Sequence, residues 1–169
     1  MDITRPDQIH NFLRELGKRC SSPSEIYLFG GSAVLLIGGA RHTGDIDFTL
    51  NEANAETIRK IIKEVAHEQG LDLEESVPSE FMPLPLGAES RHRQIERYGQ
   101  LTAYIFDPYS IALMKIDRAF KSDIQDVHFL IRSNHINLDE LQKHLNEVSQ
   151  RYDEPIKLRK NFEEMKRGL

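Results

Sequence analysis

The chain has 169 residues, 39% hydrophobic and 29% charged, which suits one globular domain or a small domain with a helical extension and excludes a disordered chain. Lys and Arg number 22 against 27 Asp and Glu, and the net charge of -5 excludes a strongly basic, non-specific nucleic-acid binder. The single cysteine, Cys20, excludes an intrachain disulfide and a cysteine-rich zinc site. The first residues lack the basic and apolar regions of a signal peptide. The longest unbroken apolar run, 33–37, is far short of the ~20 residues that span a bilayer. The expectation is a soluble, cytoplasmic protein with no membrane contact.

In chain order, residues 5–18 are predicted as the first helix. Thr4 precedes it as an N-cap, Asp7 lies in its first turn, and Ile9, Phe12, Leu13 and Leu16 form one apolar stripe. A short buried strand over 26–29 ends at Gly30-Gly31, and a short apolar helix over 32–37 is broken by Gly38-Gly39. Residues 45–50 alternate as a second strand, and 55–68 form an amphipathic helix that stops at Gly70. The stretch 71–107 is β-rich, with Pro78, Pro83 and Pro85 limiting its middle to edge or loop structure. Two strands over 93–97 and 101–106 are joined near Tyr98-Gly99.

From Asp107 onward the chain reads as helical. Asp107-Pro108 starts a helix reaching about residue 120, Ser122 with Gln125 forms the capping box of the next, and Asn137 with Glu140 caps a third. Pro155 opens the last helix. The expected fold class is α+β, a mixed β-sheet with flanking helices and a C-terminal helical segment. The expected organisation is a domain over 1–131 with a helical extension over 132–169 packed on it.

The chemistry concentrates between residues 27 and 48. A strand feeds Gly30-Gly31-Ser32, a helix starts at once, and the next strand opens with Asp45-Ile46-Asp47. Gly30 and Gly31 let the backbone approach a ligand with no Cβ in the way. The amides at the helix start suit phosphate, and Ser32 adds a hydroxyl there. Asp45 and Asp47, two apart on a strand, point to one face with Cα atoms ~6.5–7 Å apart. Two adjacent carboxylates repel unless something positive sits between them, and a hard divalent cation that also holds phosphate oxygens is the natural solution. There is no Gly-Lys-Ser/Thr of a P-loop and no Gly-x-Gly-x-x-Gly of a dinucleotide fold. The seven histidines show no zinc pairing.

On Gly30-Gly31-Ser32 and Asp45-Ile46-Asp47 the chain resembles the polymerase-β-type nucleotidyltransferase superfamily. It is most similar to small bacterial nucleotidyltransferase-like proteins, several of them linked to toxin–antitoxin pairs. Arg41-His42-Thr43-Gly44 looks like their lead-in to the acidic pair, and the stretches 106–118 and 122–127 look like their helical part. The resemblance implies transfer of a nucleoside monophosphate from an NTP to a hydroxyl of an RNA, a protein or a small molecule. It implies Mg2+ or Mn2+ on Asp45 and Asp47, with Gly30, Gly31, Ser32, Arg41, Thr43, Lys115 and Arg118 facing the nucleotide. A partner protein encoded nearby is a further expectation of the same kind.

The superfamily carries a third carboxylate on a later strand, and the resemblance places it at position 102. Here that residue is Thr102. The expectation leans towards an active Mg-dependent enzyme, and the alternative is a catalytically impaired protein of the same fold acting as a binding or toxin–antitoxin partner. Asp107, read as a helix cap, and Glu96, on the preceding strand, are the nearest substitutes for the acid.

Overall fold

The computed structural model describes residues 4–51, 53 and 55–169. The strands β1 (Ser24–Phe29), β2 (Ile46–Leu50), β3 (Leu73–Glu75), β4 (Arg93–Tyr98) and β5 (Leu101–Ile105) make one sheet in the order β3-β2-β1-β5-β4. It is mixed: β1 runs antiparallel to β2 and parallel to β5, while β3 is parallel to β2 and β4 antiparallel to β5. The α+β class read from the sequence is the class observed. Among the described residues no helix is long and apolar enough to cross a membrane.

Contacts divide the chain into two units. One is the chain up to Ser76 with Arg93–Phe106, and the other is Val77–His92 with Asp107–Leu169. In the first, alternation gives the sheet one apolar face of Ile26, Leu28, Ile46, Phe48, Leu101, Ala103 and Ile105, all buried. Helix α1 (Pro6–Arg19) turns its buried stripe of Ile9, Phe12, Leu13 and Leu16 onto β4 and β5 and against α3 (Ala55–Gln69). Thr4 does not cap α1 as expected. Its amide donates to the Thr43 carbonyl at 2.8 Å, and Arg5 takes the cap position with its amide on Gln8 Oε1 at 2.7 Å. The segment from β2 through α3 to β3 is a crossover that returns parallel and adjacent to its starting strand.

The second unit is built on α4 (Pro108–Arg118), α5 (Lys121–Arg132), α6 (Leu138–Ser149) and α7 (Pro155–Arg167). Asp107 caps α4 through the amides of Tyr109 and Ser110, both at 3.2 Å. Its fully buried carboxylate also takes a forked pair from Arg91, with Nε and Nη2 each at 3.0 Å. The segment 77–92 is thereby stapled to the start of α4. Helix α4 ends at Arg118, with Ala119 in the left-handed region at φ 57°, short of the expected residue 120. Helix α5 starts at Lys121, so Ser122 lies inside it instead of capping it with Gln125, and the Phe120 amide donates to Asp123 at 3.2 Å.

A close backbone contact in the first unit joins α1 to the turn between β4 and β5. A Cβ on Gly17 would lie 2.1 Å from the Tyr98 carbonyl oxygen, and one on Gly99 would lie 2.9 Å from that of Gly17. Tyr98 is held there by its hydroxyl, 2.9 Å from His10 Nδ1. Alanine is the better helix former by about 1 kcal/mol, but overpacking against a backbone carbonyl costs about 1–3 kcal/mol. Gly17→Ala is therefore expected to lower unfolding free energy in urea titrations. A variant as stable as the parent would show that α1 and the hairpin separate freely.

Candidate functional site

Register explains how the glycine turn and the acidic pair meet. Phe29 at the end of β1 pairs with Asp47 on β2, so the Asp47 side chain overhangs the next residue, Gly30. Gly30 has φ 63°, and a Cβ there would lie 2.0 Å from Asp47 Oδ2. Both the backbone angle and the space demand glycine. A Cβ on Gly31 would meet Thr43 Oγ1 at 3.0 Å and Arg41 Nη2 at 3.5 Å. Thr43 in turn donates to the Asp45 carbonyl at 3.1 Å and lies 3.3 Å from Asp45 Oδ1. Gly30, Gly31, Arg41, Thr43, Asp45 and Asp47 thus form one constellation.

Ser32 is placed differently from the expectation. It lies in α2 (Gly30–Leu36), is fully buried, and donates its hydroxyl to the Phe29 carbonyl at 3.0 Å. That bond locks the strand-to-helix turn from within.

The carboxylate that the fold brings to the pair is Glu74. One oxygen each from Asp45, Asp47 and Glu74 lie within 4.8 Å of one another. Glu74 pairs with Asp47 across β2 and β3, so both side chains take one face; it is exposed, while the two aspartates are half-buried. Oxygens bound to one hard divalent cation lie up to about 4–5 Å apart, so the donor set and spacing fit such an ion. Thr102 shares the face of Asp47 but pairs with Glu25, four residues before Phe29 on β1. That offset is ~13 Å along the strand, so Thr102 is outside the cluster. Only the element order hints at Glu74: a strand, a helix and a strand in succession favour a parallel neighbour for β2, without marking which of its residues faces Asp47.

Lys115 and Arg118 belong to the second unit, where α5 meets their charge. Lys115 Nζ is buried 2.8 Å from Asp126 and 3.4 Å from Asp123. Arg118 forks onto Asp123 at 2.6 and 2.8 Å, with its own side chain mostly exposed. Burial alone would raise the Asp123 carboxyl. The Arg118 hydrogen bond, the Lys115 and Arg118 charges and the Phe120 amide outweigh it and hold Asp123 below the ordinary carboxylate range. Asp107, the other acid considered, is committed to Arg91 and the start of α4.

Residues 7–168 match the model of a family described as "Nucleotidyltransferase of unknown function (DUF6036)". No curated protein and no solved structure matches the chain.

Two outcomes follow from this geometry. Gly30→Ala forces a left-handed alanine, at about 1–3 kcal/mol, and drives Asp47 from its seat. Thermal unfolding should show lower stability, and Mn2+ titration weaker binding; an unchanged Mn2+ affinity would separate the turn from the carboxylates. The lowered Asp123 carboxyl contributes stability that is complete above the unfolded value near ~4 and is lost as pH falls through the folded value. The stability advantage of the parent over Asp123→Asn should therefore shrink in urea titrations taken from about pH 6 down to about pH 3. A constant gap would remove the ion pair as its source.

Proposed function

The chain belongs to this nucleotidyltransferase family, and on that premise we propose that it transfers a nucleoside monophosphate from an NTP to an acceptor hydroxyl, releasing pyrophosphate. The observation that carries the reading is the cluster of Asp45, Asp47 and Glu74 beside the Gly30-Gly31 turn. A divalent cation, Mg2+ or Mn2+, held by these oxygens supplies positive charge against the triphosphate at the reacting phosphorus. Gly30 and Gly31 admit the phosphates close to the backbone, and the Arg41 guanidinium beside Gly31 meets their charge. Thr43 orients Asp45 through its hydroxyl, and the wall of Gly30 orients Asp47. Glu74, the exposed member, has the most open approach to an acceptor and takes the hydroxyl proton as the oxygen attacks the α-phosphorus. The bond to the pyrophosphate oxygen breaks as the new phosphoester forms.

The acceptor is a hydroxyl of an RNA, a protein or a small molecule. A third carboxylate supports transfer over the alternative of a binding-only protein on this fold. The internal pairing of Lys115 with Asp126 and Asp123, and the fork of Arg118 onto Asp123, support structural roles for both.

Incubation with each α-labelled NTP, Mg2+ or Mn2+ and cell extract should yield a labelled product and pyrophosphate. NTP and metal together should stabilise the fold, by ~2.7 kcal/mol at 100 times the dissociation constant. Glu74→Gln should weaken metal–NTP binding roughly tenfold or more, while Thr102→Asp should leave it within about twofold. An unchanged melting temperature with all four NTPs and metal would overturn the reading. A Thr102→Asp variant that binds metal more tightly would overturn the role of Glu74.

A further inference from the structure

Strand β3 carries two chemically identical acids, Glu74 and Glu75, of which the carboxylate cluster takes Glu74. Pairing with β2 sets Glu74 opposite Asp47 and Glu75 opposite Phe48, so alternation turns the two glutamates to opposite faces of the sheet. Little in the strand itself makes that choice. It has three residues, lies at the edge of the sheet, and leaves Leu73 half-buried and both glutamates exposed. Backbone bonds flank it, from the Ile46 amide to the Asp72 carbonyl at 2.9 Å and from the Ser76 amide to the Phe48 carbonyl at 3.0 Å. Such bonds hold any sequence alike. Register is weakly specified in a strand that buries so little, and a slip of one residue would exchange the faces of Glu74 and Glu75.

A side-chain contact on the face of Glu75 removes the ambiguity. Arg59 of α3 forks onto Glu75, with Nε 2.7 Å from one carboxylate oxygen and Nη2 2.7 Å from the other. A planar guanidinium on a carboxylate fixes orientation as well as distance, which a point charge does not. We propose that Arg59 is a positioning residue of the candidate metal site: by holding Glu75 to α3 it assigns Glu74 to Asp45 and Asp47. This rests on the nucleotidyltransferase reading above, through the role of Glu74, and adds to it a residue that acts only through that glutamate. An exposed ion pair contributes little to global stability, because solvent screens it and two long side chains lose freedom. Its effect is therefore local, on the register of β3, and is read in metal affinity.

The sign of that effect separates positioning from plain electrostatics. Arg59 places a positive charge on the residue next to Glu74, so as a charge alone it opposes a cation at the cluster. Its removal would then tighten Mn2+ binding, whereas loss of positioning weakens it. Calorimetric titration with Mn2+ alone should show Arg59→Gln binding about threefold or more weakly, with a urea midpoint near that of the parent. Arg59→Lys, which keeps the charge and loses the fork, should fall between the two. In a Glu74→Gln background, Arg59→Gln should cause no further loss, because the arginine acts through Glu74. Unchanged or tighter binding by Arg59→Gln, or losses that add in the double variant, overturns the positioning role while the carboxylate site stands. Should Arg59→Gln not fold, Arg59→Lys decides alone: weaker binding than the parent supports the role, and equal or tighter binding overturns it. A parent protein that binds no Mn2+ overturns the metal-site reading and the positioning role with it.

Discussion

The candidate site depends on one contact, the Asp47 carboxylate lying where any side chain on Gly30 would have to be. A Cβ at Gly30 would be 2.0 Å from Asp47 Oδ2, and the φ of 63° at the same residue already disfavours every other amino acid. The contact is a consequence of sheet register. Because Phe29 faces Asp47 across β1 and β2, the turn that follows β1 passes directly beside the carboxylate. The same turn brings Gly31 against Thr43 and Arg41, and Thr43 against Asp45. A shift of one residue in this pairing would turn Asp47 to the apolar face and expel Ile46 and Phe48 from it, so the hydrophobic core enforces the geometry of the polar site.

Local patterns were legible where one physical preference dominated. The stripe of Ile9, Phe12, Leu13 and Leu16 could only be the inner face of a helix, and all four are buried. Asp107-Pro108 satisfied both a cap and a first-turn rule, and Asp107 accepts two amides of α4. The pairing of Gly30-Gly31 with Asp45 and Asp47 was readable because both motifs sit at the ends of adjacent strands. Where two local rules competed, tertiary demands decided. Ser122 with Gln125 is the better local start for α5, since a phenylalanine side chain has no acceptor, but Asp123 takes the Phe120 amide and also answers Lys115 and Arg118. Thr4 could cap α1, yet its amide is drawn to the Thr43 carbonyl.

Glu74 was hidden for a different reason. Nothing in the short segment of Leu73, Glu74 and Glu75 distinguishes a site acid from a solvated edge strand. Its meaning comes from topology: the crossover from β2 through α3 lays β3 parallel to β2 and sets Glu74 opposite Asp47. Position 102 lies on the right face of the sheet, but face alone does not locate a residue. Position along the strand matters as much, and four residues separate the Glu25 pairing partner of Thr102 from the Phe29 partner of Asp47. Ser32 shows the converse case, in which a residue of the right type at the right position turns its hydroxyl inwards to Phe29.

The chain places carboxylates side by side twice, and the two groups differ in burial. Asp123 and Asp126 are buried, and Lys115 lies between α4 and α5 with its ammonium on both. Such a buried group is strongly destabilising if one partner is removed, because the remaining charges cannot regain water. The charge must therefore come from within the chain and stay there. Asp45 and Asp47 are half-buried and Glu74 is exposed, so solvent reaches the group. Their mutual repulsion is a cost that solvent partly screens in the absence of a ligand and that a cation from outside relieves. Exposure is what separates an acidic cluster that holds a fold together from one that can take up and release a charged ligand. On the proposed function, the two clusters of this chain stand on opposite sides of that distinction.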